Sequence, residues 1–220
     1  MSRRILHSLS VLLALHLGGV AYATPTGLNN IPTADVVDQS VLVVQAFSSF
    51  ASDRSPEWFA GLKYGAAANW EVGVDHVLSG PGSSGGLAFQ AKYRMPLTDR
   101  ARLGLGVANI SSDREALGNS APYVVLSLPL GALGGHLGHG WQEGNHAWFV
   151  GADCALSPAL CLRADWTEVD GGEESVASLG FVTALSERWV IEGWASFPSQ
   201  SNTRNNCILK ANYIISLGEK

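Results

Sequence analysis

Trp58-Phe59-Ala60-Gly61-Leu62-Lys63-Tyr64-Gly65, followed after a four-residue link by Trp70-Glu71-Val72-Gly73-Val74-Asp75, decides how this chain folds. In the first stretch Trp58, Ala60, Leu62 and Tyr64 share one face, and Phe59, Gly61, Lys63 and Gly65 the other. In the second, Trp70, Val72 and Val74 oppose Glu71, Gly73 and Asp75. Alternation with period two, bounded by turn residues, is the mark of a strand with two unlike faces. Two such strands joined by a short link form a hairpin.

The same pattern runs outward in both directions. Leu87, Phe89, Ala91, Tyr93 and Met95 oppose Ala88, Gln90, Lys92 and Arg94, and Leu103, Leu105 and Val107 alternate with Gly104, Gly106 and Ala108. Further on, Trp148, Val150 and Ala152 oppose Phe149, Gly151 and Asp153, while Leu162, Ala164 and Trp166 oppose Arg163, Asp165 and Thr167. Trp189, Ile191, Gly193, Ala195 and Phe197 oppose Val190, Glu192, Trp194 and Ser196, and Leu209, Ala211, Tyr213 and Ile215 oppose Lys210, Asn212 and Ile214. No segment after the first two dozen residues shows a capped 3.6-residue period. The chain therefore reads as all-β, with about twelve strands near 40–50, 56–66, 69–79, 86–96, 101–111, 121–130, 133–142, 146–156, 159–169, 174–184, 187–197 and 206–217. About ten residues is the length a tilted strand needs to cross a bilayer.

Connections sharpen the reading. Short links at Ala66–Asn69, Pro96–Ala101, Gly131–Ala132, Ser157–Pro158 and Ser186–Glu187 alternate with mostly longer, polar ones at Ser48–Pro56, Ser79–Gly85, Ser111–Ala121, Glu143–Asn145, Val169–Glu173 and Pro198–Asn205. Outer-membrane barrels show this, with short periplasmic turns and longer external loops. Aromatic residues sort the same way. Tyr64, Trp70, Tyr93, Trp189 and Tyr213 fall toward the short-turn ends, and Phe50, Trp58, Trp148, Trp166 and Phe197 toward the long-loop ends, as two interfacial girdles require. The expected fold is an antiparallel, up-and-down transmembrane β-barrel over residues 40–220.

Before the barrel, Arg3 and Arg4, the apolar run Ile5–Val20 and the small-residue site Ala21-Tyr22-Ala23 read as a secretory signal peptide over residues 1–23, cut before Thr24. Export by this signal, together with the barrel, makes the bacterial outer membrane the expected location. Residues 24–39, with Pro25 and Pro32, are expected to be extended and to enter the lumen or lie beneath it. With 25 Gly and 7 Trp but only 15% charged residues, the composition suits a wall facing lipid. The net charge of −5 gives no footprint for nucleic-acid binding. Cys154 and Cys161 flank a tight turn and could meet across a hairpin, although alternation sends them to opposite faces; with Cys207 they make an odd number.

A charge facing lipid costs about 2–4 kcal/mol near the midplane, so the charged faces belong inside. The candidate lumen-lining residues are Lys63, Glu71, Asp75, Lys92, Arg94, Arg102, Asp153, Arg163, Asp165, Glu192 and Lys210. They can line a hydrated pore that passes polar or anionic solutes, or they can pair with one another in a closed structural barrel. Gly61, Gly73, Gly104, Gly106 and Gly151 would leave room inside for the first of these. Catalysis has little footing. His136 and His139 fall on opposite faces of one strand, and neither they nor His146 have an inward Ser or carboxylate at triad spacing. No enzyme, cofactor or metal is expected, and lipid hydrolysis is the one chemistry kept as an alternative. Expected partners are outer-membrane lipid and polar or anionic solutes or polysaccharide.

Thr26-Gly27-Leu28-Asn29-Asn30-Ile31-Pro32-Thr33-Ala34-Asp35-Val36-Val37, leading into Ser40-Val41-Leu42-Val43, resembles the start of mature YjbH-like outer-membrane proteins, and Ser186-Glu187-Arg188-Trp189 resembles a turn of their barrels. The resemblance implies an outer-membrane barrel associated with exopolysaccharide production.

Overall fold

The computed structural model describes residues 26–51, 55–80, 86–111, 113, 118–142, 145–169, 172, 174–200 and 203–218. The signal peptide expected over residues 1–23 lies outside them. Twelve strands follow in chain order: β1 (Val41–Ala51), β2 (Glu57–Ala67), β3 (Trp70–Ser79), β4 (Leu87–Thr98), β5 (Ala101–Ile110), β6 (Ala121–Leu130), β7 (Leu133–Gln142), β8 (Asn145–Ser157), β9 (Leu160–Val169), β10 (Glu174–Ala184), β11 (Trp189–Pro198) and β12 (Asn206–Ser216). Each pairs antiparallel with its sequence neighbours. β1 and β12 close the ring in an unbroken register from Val41↔Ser216 to Ala51↔Asn206. Among the described residues no helix is long and apolar enough to cross a membrane. The crossing is made by strands, and ring closure leaves no unpaired edge in lipid.

The two faces are inverted relative to a water-soluble protein. Leu62, Val72, Phe89, Leu105, Leu137, Val150, Leu179 and Leu209 are exposed on the outside, while Lys63, Glu71, Asp75, Lys92, Asp165 and Lys210 are buried within. Buried charge beneath exposed aliphatic surface is stable only where the surroundings are lipid. At the short-turn end Trp70 packs on its cross-strand partner Tyr93, and Trp189 on Tyr213, each pair with ring centroids 4.9 Å apart. At the other end Phe50, Trp58, Trp141, Trp148, Trp166 and Phe197 are exposed. These are the two girdles of a membrane-spanning barrel.

Local irregularities stay within the ring. A bulge in β5 lets Ala91 pair with Val107 and Phe89 with Ile110, and Asn109 takes a left-handed φ of 57° there, its amide donating to the Asn119 carbonyl at 3.2 Å. The inward glycines do not leave open space. A methyl group on Gly106 would overlap its cross-strand neighbour Tyr123, and one on Gly138 would overlap Phe149. Each ring lies over the glycine beside it and fills the interior, as aromatic residues do for glycines in sheets. Cys154, Cys161 and Cys207 are all free. The β8–β9 register opposes Cys154 to Leu162 and Cys161 to Ala155, one residue out of line for a bridge.

In the segment before β1, residues 26–33 turn back on themselves instead of running extended as expected. They fold into a small hairpin inside the ring. Gly27 and Pro32 form an antiparallel bridge, the Leu28 N–H donates to the Ile31 carbonyl at 3.0 Å, and that of Thr33 donates to the Thr26 carbonyl at 3.2 Å. An epitope inserted after Gln200, between β11 and β12, is expected to be reached by antibody on intact cells, and one at Ser157–Ala159 only after permeabilisation. The opposite pattern would invert the barrel in the membrane.

Candidate functional site

The hairpin crosses the lumen. It enters from the short-turn end, where the Ser40 N–H bonds the Gly65 carbonyl at 2.8 Å and Gln39 bridges the same glycine. On the near wall, Glu71 of β3 receives the Thr26 and Val37 backbone N–H groups, each at 2.9 Å, and the Thr26 hydroxyl. Lys92, opposite Glu71 on β4, donates to the carbonyls of Thr26 at 2.7 Å and Thr33 at 3.2 Å. A carboxylate and an ammonium on adjacent strands thus hold the two legs of the hairpin by backbone groups. Arg102 of β5 pairs with Asp35.

The far wall holds the hairpin's tip. Asp165 of β9 accepts the N–H groups of Asn29 at 2.9 Å and Asn30 at 3.3 Å. The Asn30 amide donates to Ser178 of β10 at 2.5 Å and to Ser196 of β11 at 2.9 Å, and its oxygen accepts the Trp194 indole N–H at 3.1 Å. Between the walls Leu28, Ile31 and Ala34 pack against the inward Tyr123, Val125 and Phe149. Burying Leu28 and Ile31 contributes roughly 1.5–3 kcal/mol each. Wall glycines make the seat: a side chain on Gly151 would strike Leu28 and Ile31, one on Gly180 would strike Asn29, and one on Gly104 would stand 2.9 Å from the Ala34 Cα.

His136 is better furnished than its sequence surroundings suggest. β6 and β8 bring it the partners the spacing could not reveal. The Ser127 hydroxyl lies 2.8 Å from His136 Nδ1, and Asp153 lies 2.8 Å from Nε2. The expectation that no inward Ser or carboxylate stands near this histidine is corrected, because cross-strand register rather than chain spacing assembles the three. Their arrangement holds the plug. Ser127 Oγ accepts the Ala34 N–H at 2.9 Å and the residue is 3% exposed, so no substrate reaches it while the hairpin is seated. His139 points the other way, packed on the outer face against Trp141 and Trp148 with His146 beside them.

The remaining candidate residues fall into a second network. Glu192 of β11 binds Arg163 of β9 and Lys210 of β12, each at 3.0 Å, and the Asn212 amide at 2.7 Å. Asn212 in turn accepts the Gln45 amide at 2.6 Å, carrying the network across the β1–β12 seam. Lys63 lies in the field of Glu71, Asp75 and Glu192, with Lys210 as a like charge. Arg94 sits at the rim, its guanidinium on the Asn69 side chain and the Ala68 carbonyl of the β2–β3 turn. Lys92, Arg102, Arg163 and Lys210, candidates for an anion-attracting lining, are each engaged by a carboxylate or by backbone carbonyls.

Ser127, Ser178, Trp194 and Ser196 join the site without having been singled out from the sequence. A signal for the plug was present in Ala121–Leu130, where Tyr123 and Val125 alternate with Val124 and Leu126, so both faces are apolar. A strand with lipid outside and water inside has no use for a second apolar face; one packed on a plug has.

The chain is an outer-membrane β-barrel by architecture. Its fold is shared with the KdgM porin, at TM-score 0.64 and 10% identity over 78% of this chain and 98% of that one. It is shared too with the NanC porin, at 0.55 and 12% identity over 81% and 100%. An outer-membrane channel from Pseudomonas putida F1 matches at 0.56 and 11% identity over 88% and 100%. No protein-family model and no curated protein sequence matches the chain.

Lys92→Met removes the ammonium that holds both hairpin legs and leaves the buried Glu71 carboxylate without it. The expected loss is roughly 3–5 kcal/mol, the range for breaking a buried charged pair, read by equilibrium urea unfolding in lipid vesicles. A loss under about 1 kcal/mol, as for an exposed pair, would mean that this clamp does not hold the plug.

Proposed function

We propose that the protein is an outer-membrane channel for small polar solutes that rests closed, stoppered by its own N-terminal hairpin, and that it performs no covalent chemistry. The hairpin's seating carries this reading. Its backbone and side chains are bonded to β3, β4, β5, β6, β9, β10 and β11, so it spans the lumen from wall to wall. Transport requires that it move. Several of its bonds end on side chains that a polar solute can also use, so displacement exchanges one set of hydrogen bonds for another. The barrels that share the fold include proteins described as porins and a channel, which supports the channel class. The YjbH-like resemblance falls on the hairpin and the start of β1, and a link to surface polysaccharide rests on that resemblance alone.

The closed-barrel alternative draws support from the Arg163–Glu192–Lys210 network, which leaves these charges satisfied within the wall. Conductance separates the two. In planar bilayers the native protein is expected to open rarely, whereas Gly104→Val, which forces the Ala34 backbone off its seat, and Lys92→Met are expected to conduct steadily. Silence from both variants, with folding verified by heat-modifiable migration, would establish the closed barrel. Steady conductance of the native protein equal to theirs would show that the hairpin is no gate.

A further inference from the structure

The tip of the hairpin occupies a pocket whose chemistry exceeds what an asparagine needs. Its walls are Asp165, Ser178, Ser196 and Trp194, on three adjacent strands. Asp165 is 5% exposed, Ser178 1% and Ser196 7%. The two serine hydroxyls are also 3.0 Å from one another, so they form a continuous row of groups that can donate or accept. Asp165 Oδ2 receives the two tip N–H groups, but Oδ1 is buried with no hydrogen-bond partner. The Asn29 and Ser178 side chains are donors near this carboxylate, but neither completes a bond to Oδ1, so that oxygen can still accept from a bound molecule.

We propose that this β9–β11 pocket is a binding site for a neutral, hydroxyl-rich solute, a mono- or disaccharide, and that Asn29 and Asn30 occupy it in the solute's absence. The inference rests on the channel reading and names its solute class. Sugar hydroxyls both donate and accept, which matches a site offering a carboxylate acceptor, an indole N–H donor and two hydroxyls of either sense. Trp194 adds an aromatic ring, one face of which has the Lys210 ammonium 5.9 Å from its centroid. Charge argues for neutrality. An anion would meet Asp165, and Arg163 of β9 and Lys210 of β12 are already bound to Glu192. A metal or amine would leave the indole N–H without an acceptor.

The full-length protein in a sugar-free detergent provides the test, with maltose as probe and glucuronate as its charged counterpart. Asn30→Ala frees Ser178, Ser196 and the Trp194 indole from the hairpin's side chain and is expected to bind maltose at least tenfold more tightly than the native chain, by calorimetry and by a change in tryptophan fluorescence. Glucuronate should bind at least tenfold more weakly than maltose. Adding Asp165→Asn should weaken maltose tenfold and narrow that discrimination. No saturable maltose binding by the folded variant, or glucuronate binding as well as maltose, overturns the proposal. The native chain gives a reading free of substitutions: saturating maltose must speed hydrogen exchange at the Asn29 and Asn30 amides, and unchanged exchange also overturns it. Conducting plug variants that bind no maltose would reject this site and leave the channel standing. Binding without conductance would do the reverse.

Discussion

A strand in hydrocarbon has no water to satisfy its backbone, so every N–H and C=O must find a partner in the protein. Pairing of Val41–Ala51 with Asn206–Ser216 meets that demand for the first and last strands at once. Once the ring is closed, strand number and register stagger together fix its circumference and therefore an interior of set width. Twelve strands enclose more space than their own inward side chains fill. The interior must then be hydrated or be packed with something else, and this chain packs it with residues 26–37. The inward Tyr123, Val125 and Phe149 would be poorly placed in a wet pore and are well placed against Leu28 and Ile31.

The fold was legible because lipid imposes a strict pattern. Trp58–Gly65 and Trp70–Asp75 cannot alternate apolar and polar residues by accident while the aromatic rings collect at the strand ends. Closure and a strand number of about twelve follow from that pattern together with the order of short and long connections. The site was less legible, for a definite reason. Periodicity says which face a residue takes but not which residues on other strands stand beside it. Ser127 and His136 are nine positions apart and Asp153 seventeen further on, yet register sets them in one hydrogen-bonded row. Nor does anything in Thr26–Val37 announce a hairpin, since Gly27 and Pro32 are ordinary linker residues until a wall presses them together.

The inward glycines illustrate how a correct face assignment can still mislead. Gly104 and Gly151 do face inward, and in isolation they suggest free volume. Their real neighbours are Ala34, Leu28 and Ile31, so the missing side chains shape a seat rather than a passage. The charges follow the same logic. Among the inward candidates acids and bases are nearly balanced, so composition alone does not decide between pairing and pore lining. Pairing prevails because Glu192 of β11 lies within reach of Lys210 on the neighbouring β12 and of Arg163 on β9, two strands away on the other side, and buried charge without a partner is costly.

Placing the plug at the N-terminal side of β1 also settles how it is held. Only Asp38, Gln39 and Ser40 separate Val37 from Val41, and Ser40 is itself bonded to Gly65. So short a tether keeps the hairpin at high effective concentration over its seat, and reseating after release has little loop entropy to overcome. Its grip can therefore be made of many modest polar bonds. That matters for a gate, because a ligand shifts a two-state equilibrium only by its differential affinity for the two states. A plug bound through an extensive apolar face would demand more from a small solute than hydrogen bonds can supply. Here the apolar cluster takes in only Leu28, Ile31 and Ala34 of the hairpin, and the tip is held by an amide, two hydroxyls, an indole N–H and a carboxylate, groups whose bonds a polar solute can replace one for one.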